Sequence, residues 1–226
     1  MISFKGSHFP RDIILFAVYF YLRYSVSYRD LAEILAERGV TVDHTTLNRW
    51  VVKFSPLIAT RAQKRKRPTG RSWRMNETYI KVKGNWTYLY RAVDKFCKTL
   101  DFMLSEHRNE PAATLFFAKA LSTNGIPEKI VIDKSGANTA GIRGVNKILK
   151  RVGCRVAIAT IRSKYLNNLI EQDHRFIKRR TRPMLGFKSF SSASATLEGI
   201  EVTHMIRKKQ FKSEASGFKQ FAALAG

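Results

Sequence analysis

The sequence predicts an α/β protein with an all-α domain in front, and three observations lead there. Apolar residues recur at helical spacing through the first 60 positions; short β-branched and aromatic runs divided by tight turns begin at Trp73; helix and strand patterns alternate after Pro111. A chain of 226 residues, 44% hydrophobic and 12% aromatic, is long and apolar enough to bury a medium domain and a small one. The expected division is a helical domain over 1–60, a basic linker over 61–72, a mixed domain over 73–185 and a helical extension over 186–226.

The elements follow in order. Asp12 to about Tyr24 reads as a buried helix, and SVSYRDLAEILAERGV continues with Leu31, Ile34 and Leu35 at helical spacing, Ser27 as N-cap and Gly39 as stop. In TVDHTTLNRWVVKFSP, Asp43 is the N-cap and Leu47, Trp50, Val51 and Phe54 share one face. WRMNETYIKVKG, NWTYLYRAVD and KTLDFMLSEH read as a three-strand meander, with turns at Gly84-Asn85 and Asp94-Lys95. Then come PAATLFFAKALS as helix, KIVID as a short buried strand ending in an acid, NTAGIRGVNKILKR as helix, CRVAIA as strand and NNLIEQDHRFIKRR as a long helix. The tail beyond Met205 is polar and starts as helix.

Charge bounds the partner. Lys and Arg number 41 against 17 Asp and Glu, a formal charge of +24 that points to a polyanion. The basic residues are spread along the chain and interleaved with aromatics, which favours nucleic acid over a membrane surface. Cys97 and Cys154 stand in no paired spacing, so neither a disulfide framework nor a structural zinc is expected, and a reducing cytosol fits. The most apolar run, Ile13 to Leu22, is ten residues long and flanked by charge, too short to span a bilayer.

Two short helices and a turn leading into a polar, Arg-bearing helix read as helix-turn-helix, with Thr45, Thr46, Asn48 and Arg49 on its free face as the candidates for base contacts. The plain alternative is a three-helix bundle whose third helix has a wet side; the basic charge tips the balance toward DNA. Lys64, Arg65, Lys66 and Arg67 would lie along phosphates, adding affinity and salt dependence without sequence preference, unless the run is only a solvated linker.

The acids suggest chemistry. Asp133 closes a buried strand, where ligands of open α/β sheets collect, although an Asp there is commonly just a turn former. Glu171 lies in the last long helix beside His174, Arg175 and Lys178, which for an isolated helix describes a salt-bridged surface. Three strands, a fourth ending in Asp and a distal helix bearing Glu can together surround two divalent ions with hard oxygen ligands, the requirement of metal-assisted phosphoryl transfer. The third ligand belongs on the first strand, and position 76 fits.

These residues carry a family resemblance. From FKGSHFPRDIIL through SYRDLAEILAERGVTVDHTTLNRWV, ETYIKVKGNWTYLYRAVD, VIDKSGANTAGI and YLNNLIEQDHRFIKRRTRPMLGFKSF to GIEVTHMIRKKQ, the chain resembles the DDE transposases of insertion-sequence family six. The resemblance implies a ribonuclease H-like catalytic domain behind the helix-turn-helix, Mg²⁺ as cofactor with Mn²⁺ able to substitute, and cleavage at element ends followed by attack of a 3′-hydroxyl on target DNA. It implies terminal inverted repeats and target duplex as partners, a homodimer or larger assembly, and a bacterial, nucleoid-associated location in the cytoplasm. By the same resemblance Asp133 and Glu171 match the second and third acids, Lys178 a basic residue that contacts the DNA end, and Asn76 falls where the first acid stands.

Asn keeps the size of Asp and offers one carbonyl oxygen, but lacks the charge that holds Mg²⁺. The fold should survive and the chemistry should not. Glu77 is adjacent, yet neighbours on a strand face opposite ways, so it could replace the lost ligand only through a register slip or a bulge. Three origins account for an Asn at 76: a substitution made to trap DNA uncleaved, a decayed natural copy, or a descendant kept for binding DNA. The intact surrounding motifs favour the first. A non-catalytic DNA-binding regulator and a nuclease that hydrolyses without joining stand as alternatives.

Overall fold

The computed structural model describes residues 2–133, 136–154 and 156–226, with every side chain among them but that of Lys164. It contains helices α1 (Arg11–Arg23), α2 (Tyr28–Ala36), α3 (His44–Arg65), α4 (Glu110–Asn124), α5 (Gly136–Arg151), α6 (Lys164–Thr181), α7 (Phe190–Arg207) and α8 (Gly217–Leu224). Strands β1 (Ser72–Val82), β2 (Asn85–Asp94), β3 (Thr99–Ser105), β4 (Lys129–Ile132) and β5 (Ala159–Arg162) form one sheet in the order β3-β2-β1-β4-β5. The chain divides into two compact units, one of residues 1–67 with 176–226, the other of 68–175.

In the first unit, Ser27 and Asp30 make a reciprocal cap at the start of α2, the Ser27 hydroxyl accepting from the Asp30 amide and the Asp30 carboxylate from the Ser27 amide. Asp43 caps α3 by accepting from the Thr45 amide at 2.8 Å. Phe4 stacks on Phe54 and Phe9 meets Trp50 edge-on, so the segment before α1 packs on α3.

Two expectations change here. The linker expected over 61–72 is helical as far as Arg65, because α3 continues through Pro56. A proline inside a helix removes one backbone donor, and the burial of Ile58, Ala59 and Ala62 beyond it outweighs that loss. The helices after 186 also form no separate extension: they pack with α1 and α3 inside the first unit. Their signal was weak because α7 is buried nearly all round, leaving no amphipathic stripe. A Cβ on Gly199 would stand 2.5 Å from Leu22 Cδ1 and 2.7 Å from Ser55 Oγ, so only glycine lets α7 come this close.

In the second unit, β1 and β2 pair antiparallel without interruption from Trp73↔Asp94 to Val82↔Asn85. The turn between them places Lys83 and Gly84 at φ 49° and 80°, the left-handed pair that matches strand twist in a tight hairpin. The β2–β3 turn is held by buried Asp94, whose carboxylate accepts from the amides of Gly70, Phe96 and Lys98. Strand β4 runs parallel to β1 and β5 parallel to β4. One face of the sheet packs Trp73, Met75, Tyr90 and Ala92 against Phe116 and Phe117 of α4 and Ile142 and Val145 of α5.

The fifth strand lies further along than CRVAIA, of which Arg155 falls outside the described residues. Asn146 of α5 occupies the Ile158 backbone instead, accepting from its amide at 3.0 Å and donating to its carbonyl at 3.1 Å. The ladder therefore opens only at Ala159.

Candidate active site

Strand register decides which way position 76 faces. Residues directly opposite on paired strands point to the same side of a sheet, and Asn76 stands opposite Arg91. Arg91 is 1% exposed and donates from Nη2 to Asp173 of α6 at 2.8 Å. Asn76 thus shares its face with the contact that seats α6, the helix carrying Glu171. Asn167 of α6 also donates to the Met75 carbonyl at 3.1 Å, one residue before Asn76.

Glu77 faces the other side, opposite Tyr90, since β1 shows neither slip nor bulge there. Its carboxylate is 3% exposed and accepts from Arg108 Nε at 3.1 Å and from Asn138 Nδ2 of α5 at 3.1 Å. Arg108 Nη2 in turn lies 3.6 Å from Asp133 Oδ2. One edge of a single guanidinium therefore joins the buried Glu77 to Asp133 at the end of β4. Burial works against the charge on Arg108, yet Glu77, with Tyr79 and Asp133, holds the guanidinium above its ordinary pKa. Burial also pushes the Tyr90 phenol up to about 12, with Glu77 adding to it.

Arg108 and Asn138 escaped the sequence reading. Arg108 sits in the loop EHRN before α4, where no periodicity marks it, and Asn138 is one polar residue at the start of a helix. A buried Glu on a strand is the signal that could have prompted a search for them, because such a charge needs a cationic or amide partner.

The expected metal ligands meet less well. Asp133 is partly open, at 30% side-chain exposure, and Glu171 is exposed on α6. The Asn76 carbonyl oxygen accepts from the Glu77 amide at 2.9 Å, so the hard oxygen this residue could lend is already engaged. Among the described residues no three His, Cys, Asp or Glu side chains converge to hold a metal ion. Two carboxylates and an occupied neutral amide are a poor fit for Mg²⁺, which wants charged oxygens in near-octahedral array.

The expected DNA contacts lie in the first unit. Thr45, Asn48 and Arg49 are exposed and Thr46 is half-buried at the start of α3, although the Thr45 hydroxyl is spent on Asp43. Lys64 and Arg67 are exposed; Arg65 donates to the Ala223 carbonyl at 2.7 Å, helping to close the end of α8. Lys66 and Lys178 are half-buried, Lys178 in the last turns of α6. Among the described residues no helix is long and apolar enough to cross a membrane.

Residues 70–210 match the family model described as a DDE domain. The chain is 42% identical over 212 residues to the transposase for insertion sequence-like element IS431mec of Staphylococcus aureus, covering 93% of this chain and 91% of that one. It is 41% identical, over the same shares, to the transposase for insertion sequence element IS257 in transposon Tn4003 of Staphylococcus aureus. Among solved structures, the HTLV-2 integrase catalytic core domain in complex with magnesium is similar at a TM-score of 0.45 and 17% identity, over 60% of this chain and 86% of that one.

Proposed function

Because this chain belongs to the DDE transposases of insertion-sequence family six, we propose that it binds the terminal inverted repeats of an element as a homodimer or larger assembly, and that its own chemistry is blocked at Asn76. The catalytic domain is ribonuclease H-like. The observation that supports the reading is the register of Asn76: it stands opposite Arg91, on the sheet face to which Asp173 ties α6, the helix that carries Glu171. With Asp there, the three acids would hold Mg²⁺ or Mn²⁺, which activates the attacking oxygen and stabilises the leaving one. With Asn, the donors fit that ion poorly, and no step is routed through it.

What this chain's residues do is hold geometry. Arg91 and Asp173 fix α6 against the sheet. Glu77 and Asn138 fix Arg108, whose guanidinium faces the Asp133 carboxylate and offers positive charge to a phosphate arriving there. Such a chain would capture ends without cutting them, in the bacterial cytoplasm where the nucleoid lies. The test is a strand-joining assay on labelled ends, with Mg²⁺ or Mn²⁺, comparing this chain with Asn76→Asp. Products also separate the nuclease alternative, which would leave hydrolysed ends and no joined strands.

Two binding predictions follow from the first unit. Arg49→Ala should lower the preference for element ends over random duplex by about 1–3 kcal/mol if its guanidinium reads a base; an unchanged ratio of the two affinities removes it from the reading helix. Replacing Lys64 and Arg67 together by Ala should weaken binding to every duplex alike. The slope of log K against log salt should become shallower by about one for each phosphate no longer neutralised, and an unchanged slope makes the run a connector only.

A further inference from the structure

We propose that Tyr79 and Trp86, at the solvent-exposed end of the β1–β2 hairpin on the sheet face that carries α4 and α5, form a stacking platform for unpaired bases of a DNA strand. The proposal rests on the DNA-acting function above and adds an interaction with base faces, distinct from the phosphate and groove interactions assigned to the helices.

Alternation along β1 puts Glu77, Tyr79 and Lys81 on one face, and their register partners Tyr90, Tyr88 and Trp86 on the same face of β2. The rungs run outward from the buried Glu77 to an aromatic pair and then to a Lys–Trp pair. Tyr79 lies edge-on to Trp86 with centroids 6.2 Å apart, and tilted against Tyr88 at 5.5 Å. Trp86 is nevertheless 62% exposed and Tyr79 49%, whereas Trp50 and Trp73 are 4% and 2% exposed.

Cross-strand aromatic pairs also stabilise hairpins, and that role needs the rings to cover one another. Here Tyr79 and Trp86 meet edge-to-face and both stay largely exposed. Cations border the patch: Lys81 directly opposite Trp86, Lys83 at the tip, and Arg108 on the Glu77 side. π-faces bordered by Lys and Arg, with Glu77 buried and already paired, match a strand with stacked bases and a phosphate backbone. A closed duplex hides its base faces, so the fitting occupant is a frayed end or an unpaired flank. Each rung advances about 6.8 Å along the strands, so Tyr79 and Trp86 lie one and two rungs from Glu77, whose partner Arg108 also faces Asp133. A strand held by its phosphate at Arg108 would pass over these rings.

The tryptophan burial supplies the readout. Among the three tryptophans only Trp86 is accessible, so quenching of its emission reports a base stacked on it. The full chain is titrated with oligothymidylate, with a relaxed, covalently closed duplex circle that has no ends or loops, and with a linear duplex carrying an unpaired flank. Quenching is expected with the oligothymidylate and the flanked duplex and not with the closed one. Trp86→Ala and Tyr79→Ala should each weaken single-strand binding by about tenfold while leaving closed-duplex binding unchanged, and Trp86→Phe should retain the affinity. Closed-duplex binding accompanied by no quenching from unpaired DNA overturns the platform alone, as does equal single-strand affinity in Trp86→Ala. An emission change that follows protein concentration without DNA would assign the face to a second copy of the chain and also overturns it. Failure to bind any DNA form overturns the functional reading and the platform together.

Discussion

Asn76→Asp is expected to convert a chain that binds DNA ends into one that cuts and joins them, with a rise in strand-joining rate of at least about a hundredfold. Loss of outer-shell partners of a metal already costs about 10–100-fold, and a direct ligand matters more. The change adds one negative charge on the sheet face that carries Arg91 and α6. It also replaces an oxygen now turned to the Glu77 amide by a carboxylate with a second oxygen free. Activity in the Asn form would move the first ligand elsewhere. Inactivity in both forms, with end binding intact, would favour a regulator derived from a transposase, its site altered in more than one place.

Asp173→Ala is expected to give the largest loss of stability, about 3–5 kcal/mol, because it leaves a guanidinium 1% exposed without its carboxylate. A denaturant titration of the full chain should show the transition of the catalytic domain moved to lower midpoint. The double variant Arg91→Met with Asp173→Leu should recover most of it, since a buried pair exchanged for apolar groups of similar size is close to neutral. A midpoint unmoved in the single variant would mean that Arg91 reaches water or another anion. In the Asn76→Asp background the single variant should also slow joining, because α6 and with it Glu171 lose their anchor on β2.

Local chemistry made much of the fold legible. Ser27, Asp43 and Gly39 announced helix ends, the tight turn before Asn85 announced the first hairpin, and the apolar run before Asp133 announced a buried strand. Those signals fail where partners distant in the chain decide the outcome. The run from Arg61 reads as a linker, and the burial of Ile58, Ala59 and Ala62 carries α3 on to Arg65. CRVAIA reads as strand, and the Asn146 side chain takes the amide and carbonyl of Ile158 that a ladder would need. Helix α7 reads as part of a helical extension because burial nearly all round leaves no amphipathic stripe, and Gly199 lets it come close to Leu22 of α1 and Ser55 of α3.

The candidate site divides along the same line. By itself the sequence determined the family, the order of strands and helices and the strong positive charge, and it raised the expectation of an acid at position 76, because motifs, charge and period are properties of neighbouring residues. Tertiary structure alone decided that Asn76 faces α6 through the register with Arg91, that Glu77 is committed to Arg108 and Asn138 on the opposite face, and that Trp86 and Tyr79 remain open to solvent. These are pairings between residues up to 92 positions apart, as between Met75 and Asn167. They form only when a strand's alternation is locked against a particular neighbour, and a linear pattern does not specify which neighbour that is.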